Sequence, residues 1–93
     1  MINAKEAKQN VINYDIKRFE KVKMIVNGII PVISKNIEYN SNHGLSSITL
    51  FVYNDIQFCD REIASGIFEK VLKDNGYTII KNDWQNNSLT FKW

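Results

Sequence analysis

Reactive chemistry in a short chain must come from its scarcest side chains, and here these are one histidine, His43, and one cysteine, Cys59. A hydrolytic or group-transfer site needs a nucleophile, a base within hydrogen-bond reach and a group that orients the base. His43 lies in Ser41-Asn42-His43-Gly44, a run with the composition of a solvated turn. Cys59 precedes the start of an expected helix, where a helix N-terminus can lower a thiol pKa. It has no histidine near it in sequence and reads as an incidental thiol. One His and one Cys cannot make a zinc site without carboxylates at ligand spacing, and Asp55 and Asp60 flank a loop without the calcium-loop pattern. Gly28, Gly44, Gly66 and Gly76 stand alone, so no glycine-rich loop is set to cradle phosphate. The expectation is a non-enzymatic protein with no metal and no cofactor.

Binding residues are the better search. Tyr53, Phe58, Tyr77, Trp84, Phe91 and Trp93 fall on expected strands and their ends. Leu89, Phe91 and Trp93 alternate onto one face, so Phe91 is expected in the core. Trp84 sits in a polar run, Asn82-Asp83-Trp84-Gln85-Asn86-Asn87. It either folds back over the sheet or stands out as an anchor of the type enriched at interfaces. Tyr14, Arg18 and Lys21 share one face of a long helix and are the other candidate binding residues.

Ninety-three residues make a single domain that buries roughly 60–70% of its unfolded surface. Apolar residues are 44% and charged residues 24% of the chain, the balance of a globular protein. Net charge is +2, with seven Lys/Arg against four acids in residues 1–40 and five against six in 41–93. A nucleic-acid-binding domain carries a stronger basic stripe than this. One cysteine excludes an internal disulfide and fits a reducing compartment. Met1-Ile2-Asn3-Ala4-Lys5-Glu6 lacks the basic-then-apolar order of a signal peptide. The apolar cluster from Ile25 to Ile33 is broken by Asn27, Gly28 and Pro31 and is too short for a membrane span. The expected location is the cytoplasm.

These side chains need elements to hold them. Asn3 followed by Glu6 has the spacing of a helix N-cap and capping box. From there the apolar residues Ile12, Phe19, Val22, Val26, Ile29, Ile33 and Ile37 recur in steps of threes and fours, with Asp15 the one polar interruption. The stripe keeps its phase across Pro31, which predicts one continuous helix over about 3–42, kinked near Gly28 and Pro31. The alternative ends a first helix at Asn27-Gly28 and starts a second at Pro31. Gly44 is suited to a left-handed cap. Met24, Ile25 and Ile30 widen the middle of the stripe. Phe19, Val22, Val26, Ile29 and Ile33 are therefore expected to form an oligomer interface.

Residues 46–53 alternate Ile48, Leu50 and Val52 with Thr49, Phe51 and Tyr53, a strand apolar on both faces and so expected at the centre of a sheet. Asp60 is the expected cap of a second helix over about 59–75. Its stripe of Ile63, Ala64, Ile67, Phe68, Val71 and Leu72 points inward, with Arg61, Glu62, Glu69, Lys70 and Lys73 outward, and Gly76 stops it. Residues 77–82 and 88–93 read as hairpin strands, with Asn86 and Asn87 tolerating positive φ. The class is α+β: a long N-terminal helix, then β-α-β-β, with both helices on a three-stranded mixed sheet. The β-α-β step is expected as a right-handed parallel crossover.

Several local features recur together: Ala4-Lys5-Glu6-Ala7 close to the initiator Met, a long helix, and Gly44 then Ser46-Ser47-Ile48-Thr49. A helix ending Gly76-Tyr77-Thr78-Ile79 and a final Leu89-Thr90-Phe91-Lys92-Trp93 complete the set. As a set they resemble the small accessory proteins encoded by tailed bacteriophages. Pro31 departs from that pattern, in which the long helix runs uninterrupted. The resemblance implies a viral origin and expression in the bacterial host cytosol, and it carries no catalytic residue onto this chain.

Three functions follow as expectations. The first is a non-enzymatic phage accessory protein that binds a host protein, blunting a defence or redirecting host machinery. The second is a homo-oligomer that sequesters a small signalling nucleotide, with lysines and helix N-termini for phosphate and aromatics for the base. The third, ranked last because the charge excess is small, is weak nucleic-acid binding through the lysines of the first helix.

Overall fold

A computed structural model describes residues 1–93. The first helix, α1, spans Ala4–Asn42 without interruption, 39 residues with Pro31 inside it. Asn3 caps it: its backbone is extended, and its Oδ1 accepts the Glu6 N–H at 2.9 Å. Proline supplies no amide for the Asn27 carbonyl one turn back. Both Pro31 and Asn27 are exposed, so water can serve that carbonyl and the helix carries on. At the far end the Leu45 N–H returns to Asn40 O and the Gly44 N–H to Ser41 O, with Gly44 at φ +82. That bond pair is a Schellman cap.

The second helix, α2 (Arg61–Asp74), follows a short 3-10 turn over Phe58–Asp60. It ends in the same way: Tyr77 N–H to Leu72 O, Gly76 N–H to Lys73 O, and Gly76 at φ +86. Asp60 stands at the N-cap position but makes no capping bond. Its carboxylate is held by Arg18 instead.

Three strands complete the chain: β1 (Ser47–Leu50), β2 (Thr78–Asp83) and β3 (Ser88–Lys92), in the order β1-β3-β2. Both pairings are antiparallel. The mixed sheet expected from the sequence is therefore corrected. β1 and β2 do run in the same direction, but β3 lies between them, because the β2–β3 hairpin closes locally and leaves only the far edge of β3 open. β1 is consequently an edge strand, not a central one, and it is shorter than the expected 46–53. Leu50 pairs with Leu89, and one residue past Ser88 the partner turns away at Asn87, φ +59. Beyond the ladder, Asn87 Oδ1 accepts the Tyr53 N–H at 2.8 Å, and Phe51 is left 64% exposed.

The inner face of the sheet carries Leu89 and Phe91, both fully buried, with Ile48, Leu50 and Ile79 packed beside them. On the outer face the Thr49 and Thr90 hydroxyls meet at 2.7 Å across paired strands. Both helices lie on the inner face. They run parallel, since Arg18 reaches Cys59 and Asp60 at the start of α2 while Ile30 and Ile37 share a pocket with Leu72 near its end. Val22, Val26 and Ile33 are thereby buried to 0–2% exposure against Ala64, Phe68 and Leu72 within a single chain. Assigning these three to an oligomer interface was wrong, because α2 and the sheet cover the stripe from residue 22 onward. Ile29 is half-buried against the same core, and of the five only Phe19 remains exposed.

Candidate functional site

From Ala4 to Lys17 no residue of α1 is buried. The molecule measures 63 × 23 × 19 Å, and its long dimension is that of the helix itself, about 58 Å at 1.5 Å per residue. The first third of α1 therefore projects past the body, and at its root two different faces meet α2.

The first face is polar. Tyr14, Lys17, Arg18 and Lys21 line a cleft of about 460 Å³ with Gln57, Cys59 and Asp60. These four helix positions are spaced by three and four, which stacks them on one side of α1. Arg18 is the fixed point: its Nε donates to Asp60 Oδ1 at 2.7 Å, and its Nη2 donates to the Cys59 carbonyl. The Asp60 hydrogen bond holds the guanidinium pKa above its ordinary value. Asp60 is only 6% exposed, so this pair ties α1 to α2 and its charges are spent on each other. Lys17 and Lys21 make no ion pair and remain the cleft's free cations, beside Tyr14 at 66% exposure.

Of the binding residues nominated by the sequence, the fold thus gathers Tyr14, Arg18 and Lys21. Arg18 serves mainly to position the cleft. Trp84 stands apart from it: the ring folds back half-buried on the core and lies 5.7 Å from the ring of Phe58. Arg61, expected to point outward, is half-buried. It donates to Ile56 O and Trp84 O at 3.2 Å and lies over Phe58. Phe58, 59% exposed, carries this aromatic patch to the surface next to the cleft. Lys17 was findable from sequence, one helical turn before Lys21. Asp60 was not, because its partner lies 42 positions away.

The second face is apolar and lies on the opposite side of α1. Phe19 of α1 and Ile63, Ile67 and Val71 of α2 form the apolar floor of an open groove of about 600 Å³, whose rim carries Lys23, Asn27, Glu62, Lys70 and Asp74. Ile16 joins it through an adjoining hollow that it shares with Phe19 and Ile63. Ile12 lies one turn further out on the same ridge.

The two scarce reactive side chains are far apart. Cys59 is exposed at the level of Arg18, whereas His43 follows the end of α1, about 37 Å further along the axis. There His43 stacks on Tyr39 and its Nδ1 contacts Tyr39 O. No group of three His, Cys, Asp or Glu side chains converges anywhere in the fold, and no helix is long and apolar enough to cross a membrane. No family model, curated protein or solved structure matches the chain.

Proposed function

We propose that this chain is a non-enzymatic binding protein, an accessory protein of the tailed-phage type, that docks onto a host protein in the bacterial cytosol through the face around Tyr14, Lys17 and Lys21. The observation that carries this reading is the convergence of Tyr14, Lys17 and Lys21 on one cleft whose two walls are tied together by the Arg18–Asp60 pair. Aromatic anchors on a well-supported surface are what dominate protein-binding energetics, and unpaired lysines at the rim speed encounter with an acidic partner. The test is capture from host lysate followed by reconstitution with the captured protein. The wild-type chain should retain a stoichiometric partner, and Tyr14→Ala with Lys21→Ala should weaken that complex by roughly tenfold or more. Equal binding by the double variant, or no stoichiometric partner, refutes the reading.

The same two lysines favour a second reading, sequestration of a small signalling nucleotide, with phosphate on Lys17 and Lys21 and the base against Tyr14. A ligand that binds the folded chain raises its melting temperature by mass action. A cyclic-nucleotide panel that leaves Tm unmoved removes this alternative.

A further inference from the structure

Apart from its Asn3 cap and its continuity with the packed part of the helix, the projecting third of α1 buries nothing that would hold it helical within one chain. Most helical stability in proteins comes from packing of an amphipathic face rather than from propensity, and the stretch from Ala4 to Lys17 has no buried residue. It also carries the β-branched Val11, Ile12 and Ile16, which lower helix propensity. Ile12, Ile16 and Phe19 are 51%, 52% and 48% exposed. They form a ridge that runs straight into the α1–α2 groove.

The uncovered surface is large enough for a protein partner, and its shape is self-complementary. The chain exposes 6537 Å², whereas a compact protein of its mass exposes about 5,500 Å². The excess, about 1,000 Å², comes from all sides of the projecting helix, and is large enough to include the roughly 800 Å² that each partner contributes to a stable two-protein interface. The radius of gyration, 16.4 Å, exceeds the approximately 12 Å of a compact chain of this length. Ridge and groove lie on the same face of the same molecule, so a two-fold axis places each ridge in the other groove.

We propose that a second copy of this chain covers the groove. The two projecting helices pack antiparallel about an axis close to Phe19, and the Ile12–Ile16 ridge of each protomer lies over Ile63 and Ile67 of its partner. Gly66, which has no side chain and no other element packed over it, gives the groove a low point for the incoming helix. Lys8 shares the face of the ridge and falls toward the far end of the groove, where Asp74 is paired with Lys70 at 3.1 Å. The polar cleft lies on the other side of α1 and stays open in the pair.

Light scattering on the full chain at high micromolar concentration should give twice the 10.8 kDa of one protomer. Ile16→Asp puts a charge at an exposed position of the monomer, so the body still folds, and it should weaken the dimer by roughly thirtyfold or more. Tyr14→Ala should leave the mass unchanged, which separates this interface from the cleft. In a Cys59→Ser background, Phe19→Cys should form an interchain disulfide under mild oxidation and Tyr14→Cys should not. A monomeric wild type, a dimer indifferent to Ile16→Asp, or cross-linking through Tyr14→Cys in place of Phe19→Cys overturns the proposal.

Discussion

Tyr53 shows how a single side chain can join sheet and helix. It is fully buried, its ring meets Phe68 edge-on at 5.5 Å, and its hydroxyl donates to Asn82 Oδ1. Burial pushes the phenol pKa well up, partly opposed by the Asn82 bond. The folded chain therefore holds this proton more tightly than the unfolded chain, whose tyrosines ionise near pH 10. The Tyr53 contribution is complete below about pH 10 and is lost as pH rises beyond it. Tyr53→Phe should cost about 1 kcal/mol at neutral pH through the lost hydrogen bond. It should also flatten the alkaline decline, measured by urea unfolding across that range. An unchanged alkaline decline in the variant would place its origin elsewhere. Residues acting through local bonds were legible in the sequence: Asn3, Gly44, Gly76 and Asn87 all stand where their backbone preferences put them. Arg18–Asp60 and Arg61–Trp84 were not, because sequence spacing says nothing about partners 42 or 23 positions apart.

Both helices were legible because periodicity and glycine stops are local signals. The stripe of α1 crosses Pro31 in phase, and the helix is continuous there. Proline in a helix interior costs up to about 3 kcal/mol, part of it the missing hydrogen bond and part the crowding of its ring. Pro31→Ala should therefore stabilise the chain by about 1–3 kcal/mol, read as a higher urea midpoint with an unchanged m-value. A neutral or destabilising result would mean that the helix already bends to relieve the proline. The order of the strands was not legible. An apolar run such as 48–53 looks central by composition, yet strand position is decided by which edge remains free once the local hairpin has closed. β1 pairs only to Leu50, opposite Leu89, and β3 begins at Ser88, so Val52 and Tyr53 have no strand partner to extend the ladder, a limit set by another segment and invisible in residues 46–53.

At the scale of the whole molecule, the body is a two-layer α+β unit and the first third of α1 stands outside it. The width of the apolar stripe on α1 was legible, but not how it divides. Val22, Val26 and Ile33 serve the core of their own chain, while Ile12, Ile16 and Phe19 face solvent on a ridge beside α2. One helix thus carries three surfaces: a core face, a polar cleft that we propose for a partner protein, and a ridge that we propose for a second copy. The most direct test of this division is amide hydrogen exchange across residues 5–17 at several protein concentrations. A covered ridge makes the projecting helix part of a dimer, so its amides should be protected at high concentration and should lose that protection on dilution or in Ile16→Asp, while α2 and β3 stay protected throughout. Rapid exchange over residues 5–17 at every concentration, or protection that ignores dilution and the substitution alike, would contradict the account.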